Sequence, residues 1–155
     1  KMRIRILRAR LKAKLGAYDV AIKDLEKALL ENSEDPALLN TLALIHLDIE
    51  DFEKALKYLN LSLEFNPEDP FTFANIGFVA LNAGKYQKAI NIFDEQIKKN
   101  RKFSSMYNNR GFAKYKLGKN KEAIKDINYA IELNSLNSFA FKNRAIINFL
   151  MNKNP

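Results

Sequence analysis

The densest grouping of groups able to ligate a metal or move a proton is the single histidine, His46, with Asp48, Glu50, Asp51 and Glu53. It falls short on both counts. The stretch from Asp48 to Glu53 has neither the glycine of a calcium loop nor a second imidazole for zinc, so the expectation is a packed histidine beside a solvated acidic turn. No metal and no cofactor is called for. The chain contains no cysteine, which removes thiol nucleophiles, disulfides and thiolate metal sites, and one histidine leaves a catalytic triad short of parts. An enzyme is therefore the disfavoured expectation.

Two other groupings recur. Arg8 with Asp24 and Arg110 with Asp126 share one spacing, and the corresponding positions between them hold Leu42 with Tyr58 and Ile76 with Ile92. Charge accompanies charge and apolar accompanies apolar, as expected of two semi-buried Arg–carboxylate pairs that fix register more than they add stability. The second grouping is a row of amides. Asn75, Asn109 and Asn143 follow each other at 34-residue intervals, Thr41 shares their register, and Asn40, Asn108 and Lys142 stand one residue earlier in theirs. Beside the row run Leu44, Phe78 and Phe112, then Tyr115. An Asn side chain offers one acceptor and two donors, which match the C=O and N–H of a peptide unit.

Positioning such rows requires elements that repeat. Ala21, Ala55, Ala89 and Ala123 are each 34 residues apart, and Gly16, Glu50, Gly84 and Gly118 keep the same interval. Apolar residues recur three and four apart within each interval, for example Ile22, Leu25 and Leu29, and earlier in the interval Leu39, Leu42 and Ile45; this is the stripe of an amphipathic helix. Two helices per interval follow. The Gly16 series supplies the left-handed residue that ends a helix, and Asp35-Pro36 and Asp69-Pro70 mark where the next one starts. Connections this short make neighbouring helices antiparallel. Small residues at one position of the first helix (Ala9, Ala43, Gly77, Gly111, Ala145) face the Ala21 series, so the two axes approach closely. A single pair cannot bury its stripe, so the pairs stack.

These residues resemble the tetratricopeptide repeat family, whose 34-residue pattern has small residues at repeat positions 8 and 20. The resemblance covers essentially the whole chain as units 2–35, 36–69, 70–103 and 104–137 and a trailing first helix, 138–155, in one domain, 1–155. There are departures: Arg5 stands where a large apolar residue is usual, and position 11 is never Tyr. The resemblance implies an all-α fold, a right-handed α-solenoid of stacked antiparallel helix pairs, acting as a protein–protein interaction scaffold. It also implies that the concave groove is lined by Asn40, Thr41, Leu44, Asn75, Phe78, Asn108, Asn109, Phe112, Tyr115, Lys142 and Asn143, and that an extended peptide lies there. The amide row is similar to the asparagine ladder of peptide-threading members of the family. The dicarboxylate clamp of heat-shock co-chaperones is not matched, because no unit supplies its Lys and Arg together. The alternative use of such a fold is packing or self-assembly through the solenoid ends within a larger complex.

Charge bears on the partner. The chain is basic, with 26 Lys and Arg against 18 Asp and Glu, but residues 36–69 hold seven acidic and two basic residues. That break, and lysines on polar helix faces, disfavour nucleic acid, which asks for a continuous basic stripe with interleaved aromatics. No apolar run reaches the ~18 residues of a membrane span. Lys116, Lys142 and Arg10 on the groove against Asp48 favour a neutral to acidic protein or peptide partner. The acid-free, basic segment 1–18 has the composition of a transit peptide, but its phase with the repeat assigns it to a first helix. The trailing helix, with Phe141, Ile147 and Leu150, is expected either to continue into a longer array or to make a homotypic contact.

Overall fold

The computed structural model describes residues 2–153. Among these are nine α-helices and no strand: α1 Met2–Lys14, α2 Tyr18–Glu31, α3 Pro36–Asp48, α4 Phe52–Phe65, α5 Pro70–Asn82, α6 Tyr86–Lys99, α7 Ser104–Lys116, α8 Asn120–Leu133 and α9 Ser138–Lys153. The odd-numbered helices begin at Met2, Pro36, Pro70, Ser104 and Ser138, the starts expected from the 34-residue period. Lys1, Asn154 and Pro155, which the expected domain 1–155 includes, lie outside the described residues.

The helix ends follow from local chemistry. Asp35 caps α3, its carboxylate accepting from the backbone N–H of Ala37 (2.8 Å) and Leu38 (3.4 Å), and Asp69 caps α5 through the N–H of Thr72 (2.9 Å). Such caps satisfy donors that the first turn of a helix leaves orphaned. The turns inside each pair are one motif used four times. Ala17, Asp51, Lys85 and Lys119 donate back to the carbonyls of Lys12, His46, Ala80 and Lys114 at 2.9 to 3.0 Å, which is the 6→1 bond of a Schellman ending. The motif requires a positive φ one residue earlier. Gly16, Gly84 and Gly118 supply it at 81°, 72° and 77°, and Glu50 is forced to 60° in the second pair.

Contacts divide the chain into two compact units, Lys1–Asn75 and Ile76–Pro155. In the first, α1 packs on α2, α3 on α4, and both α1 and α2 on α3. Its core joins Ala9, Ala13, Ala21, Leu25, Leu38, Leu42 and Ile45. In the second, α6 packs on α7, α7 on α8, and both α7 and α8 on α9; Phe93, Met106, Ile127 and Ile147 are fully buried there. Each is an all-α assembly of helical repeats. The small-residue positions show why they are small: a Cβ at Gly111 would sit 2.8 Å from Ile127 and 2.9 Å from the Ala123 carbonyl oxygen, and one at Gly77 would sit 2.5 Å from the Phe93 ring. Ala145, at the same repeat position of α9, is exposed.

Candidate functional site

The amide row is carried by first helices, and the structure ties its members together in pairs. In the first unit Asn75 donates its Nδ2 to Asn40 Oδ1 at 2.7 Å. Asn40 Nδ2 in turn lies 2.9 Å from three acceptors, the Pro36 carbonyl, Ser62 Oγ and Thr72 Oγ1. Those acceptors decide which way the Asn40 amide points, so its oxygen faces Asn75, and Asn75 keeps its own oxygen directed elsewhere. In the second unit Asn143 donates to Asn108 Oδ1 at 2.9 Å, and Asn108 donates to Asn109 Oδ1 at 3.1 Å. Repeat position 5 of one pair thus bonds position 6 of the next. This link was invisible to a search for 34-residue intervals because its interval is 35.

Exposure sorts the remaining residues expected at the site. Thr41 and Asn108 are buried; the Thr41 hydroxyl donates to the Ala37 carbonyl of its own helix at 2.7 Å. Both present little surface, and Asn108 ties together Asn109 and Asn143. Leu44, Asn75, Phe78, Asn109, Phe112, Tyr115 and Asn143 are half-buried, and Lys142 is exposed. On α7 the rings of Phe112 and Tyr115 lie 6.2 Å apart, and the Lys116 ammonium stands 5.4 Å over Phe112.

The two expected Arg–carboxylate pairs part company. Arg110 meets Asp126 with two bonds, Nε to Oδ2 at 2.7 Å and Nη2 to Oδ1 at 2.6 Å. Its third contact, Nη1 to Asp94 Oδ1 at 2.7 Å, comes from α6, and Lys114 Nζ adds a contact to Asp126 at 2.9 Å. Burial works against the guanidinium charge, yet the bonds and charges of Asp126 and Asp94 outweigh it and raise the Arg110 pKa. Arg8 is a correction. It reaches Asp24 only at 3.4 Å and stays largely exposed, because Lys12 takes that carboxylate at 2.6 Å and holds it below the usual carboxylate range. In α9, Arg144 donates to Asn128 at 3.2 Å, the α8 counterpart of Asp94.

His46 is buried and stacked on Tyr58 with ring centroids 5.5 Å apart. Its Nδ1 lies 3.4 Å from Asp51 Oδ2, and neither ring nitrogen has a hydrogen-bond partner among the described residues. Desolvation lowers its pKa against the opposing pull of Asp51. No group of three or more His, Cys, Asp or Glu is placed to hold a metal ion among the described residues. Nor is any described helix long and apolar enough to cross a membrane.

Tetratricopeptide repeat profiles match residues 6–70 and again residues 104–135. The chain belongs to the tetratricopeptide repeat family. No curated protein matches it. Among solved structures, a thermophilic tetratricopeptide repeat protein of Thermus thermophilus superposes with a TM-score of 0.85 at 18% identity, covering 97% of this chain and 83% of that one. A tetratricopeptide repeat protein of Parabacteroides merdae gives 0.77 at 22% identity, with coverage of 98% and 59%. The first such domain of RPAP3 (Spaghetti), solved with the HSP90 peptide SRMEEVD, gives 0.65 at 21% identity, with coverage of 77% and 95%. The fold is that of an α-helical repeat solenoid, generally a protein–protein interaction scaffold and not a catalyst.

Proposed function

We propose that this tetratricopeptide protein binds an extended peptide segment of another protein along its first helices, without catalysing a reaction. The observation that carries the proposal is the opposite polarity of two amides in the second unit. Asn109 accepts from Asn108 and so presents its N–H groups; Asn143 donates to Asn108 and so presents its oxygen. One is set to meet a peptide C=O and the other a peptide N–H. Helices packed at roughly 10 Å match about three residues of extended chain. Phe112 and Tyr115 offer apolar surface to the ligand's side chains. Lys116 and Lys142 favour a neutral to acidic ligand. Asn75, Leu44 and Phe78 carry the same chemistry in their own repeats, with Asn40, Thr41 and Asn108 as supports behind it.

The test begins with selection of peptide ligands from a library by the purified chain. Each lost peptide hydrogen bond is worth about 0.5 to 1.5 kcal/mol, so Asn109→Ala with Asn143→Ala should weaken a selected peptide roughly 5- to 150-fold. The same pair also gives up two internal bonds, together about 1 to 3 kcal/mol, and a fall in Tm of roughly 2 to 12 °C accompanies it. Unchanged affinity of the folded double variant sinks the proposal. A second reading, homotypic contact through α9, rests on Phe139, 72% exposed, and Phe141, 41% exposed. Mass that rises with concentration, and stops rising in Phe139→Asp, favours it.

A further inference from the structure

We propose that the turn edge of the second unit docks peripherally on an anionic lipid surface, at a place separate from the peptide row. Two apolar side chains stand out there. Leu136, in the turn between α8 and α9, is 90% exposed, and Phe139, in the first turn of α9, is 72% exposed. The turn between α6 and α7 lies beside them: Asn137 Nδ2 donates to Ser104 Oγ at 2.9 Å. Lys102, Phe103 and Leu133 join Leu136 and Phe139 around an open cleft of about 620 Å³. Repeat register shows that this edge faces outward. Leu136 holds repeat position 33 and Phe139 position 2. The counterparts of the first, Glu34, Glu68 and Lys102, and of the second, Arg3, Ala37, Phe71 and Ser105, are all exposed. The exposure of Leu136 and Phe139 therefore belongs to their position in the repeat, and apolar groups gathered on such an edge mark a contact.

Charge selects the occupant. Lys98, Lys99, Arg101 and Lys102 crowd the end of α6 and the turn after it, all of them exposed, and neither residues 96–121 nor residues 133–155 include an Asp or Glu. The first unit is the contrast. Its turns carry Glu34 with Asp35 and Glu68 with Asp69, and the two aspartates cap α3 and α5. In the second unit no carboxylate stands at either cap. Phe103 precedes α7 with no side-chain cap bond, and before α9 the neutral Asn137 accepts from the Ala140 N–H at 3.1 Å. The positive ends of two helices thus add to four cationic side chains. Cations around protruding apolar groups suit an anionic bilayer interface: Lys and Arg stems reach headgroup phosphates while Leu and Phe enter the acyl boundary. A protein partner asks for more surface. A stable protein contact covers about 800 Å² on each side, whereas a membrane contact needs a shallow apolar anchor with a basic flank, each Lys or Arg strengthening it about 5-fold.

Vesicle binding by the full chain is the test. Phosphatidylserine-rich vesicles should bind it, and pure phosphatidylcholine vesicles should not. Lys98→Gln with Arg101→Gln should weaken binding roughly 20- to 30-fold, and Leu136→Ser with Phe139→Ser at least about 10-fold. All four side chains are exposed, so both double variants should keep the wild-type circular dichroism and Tm. The chain has no tryptophan, so Leu136→Trp reports its own depth: its emission should shift to the blue on the vesicles and be quenched by brominated acyl chains. The proposal is overturned if phosphatidylserine vesicles do not bind, or if the introduced indole stays unquenched. Affinity indifferent to the Leu136 and Phe139 exchanges is diffuse adsorption of a basic chain and overturns it as well. Arg3→Gln with Arg8→Gln weakening binding more than the Lys98 and Arg101 exchanges moves the contact to α1, against the proposal. A dimer in sedimentation that Phe139→Ser dissolves, with no vesicle binding, gives the edge to a second copy. Capture of soluble polyglutamate, again with no vesicle binding, gives it to an acidic protein, and either result overturns the proposal.

Discussion

Replacing Asp126 with alanine tests the most consequential polar contact in the second unit. The variant removes both bonds to Arg110 and the 2.9 Å contact of Lys114. The side chains of Arg110, Lys114 and Asp126 are 14%, 15% and 9% exposed, so water does not restore what is lost. Breaking a buried pair by removing one partner costs about 3 to 5 kcal/mol. Asp94 still holds Arg110 at 2.7 Å, which puts the expected loss near the lower end, about 3 kcal/mol. For a chain of this length each kcal/mol moves Tm by about 2 to 4 °C, giving a fall of roughly 6 to 12 °C. Urea unfolding followed by circular dichroism measures it, with Asp94→Ala as the contrast. The Asp94 side chain is 43% exposed, and its removal should cost about 1 kcal/mol or less. A double-mutant cycle with Arg110→Met isolates the pair term. A loss under about 1 kcal/mol for Asp126→Ala, or a coupling near zero, refutes the view that this pair is desolvated and holds the two helices in register.

Backbone and packing yield further expectations. Gly111→Ala places a methyl against Ile127 and the Ala123 carbonyl and should destabilise by about 1 to 3 kcal/mol in chemical denaturation; an unchanged midpoint would show that α7 and α8 can part without loss. Glu50→Gly should stabilise by about 0.5 to 1 kcal/mol, because Glu50 holds a left-handed φ of 60° that costs a side chain and not a glycine. A lower denaturation midpoint in that variant contradicts the turn analysis. For His46 the folded-state pKa is depressed by desolvation, so the unfolded chain binds the extra proton first. Its stabilising contribution is present above the ordinary value near 6.5 and is lost as pH falls from there through the folded value. The Tm of wild type should drop over that window more steeply than that of His46→Leu, and parallel pH profiles would show that the imidazole does not titrate with folding.

Much of the fold is legible in the chain itself. The 34-residue interval, the Asp-Pro starts and the Gly16 series place five first helices and the turns within each pair, because helix ends and hydrophobic stripes are set by residues near in sequence. Glu50 shows how strong that local logic is: the Schellman geometry dictated by its neighbours places a glutamate where the other turns use glycine. The rows of Asn and aromatic side chains were equally visible as spacings. What the spacing does not contain is which polar atom meets which. Arg8 and Arg110 have the same sequence context, yet Lys12 displaces Arg8 from Asp24, while Lys114 joins Arg110 at Asp126 and Asp94 closes the cluster from the preceding helix. Asn75 and Asn143 bond residues 35 positions away on another helix, so the polarity of their amides was settled only when those helices packed.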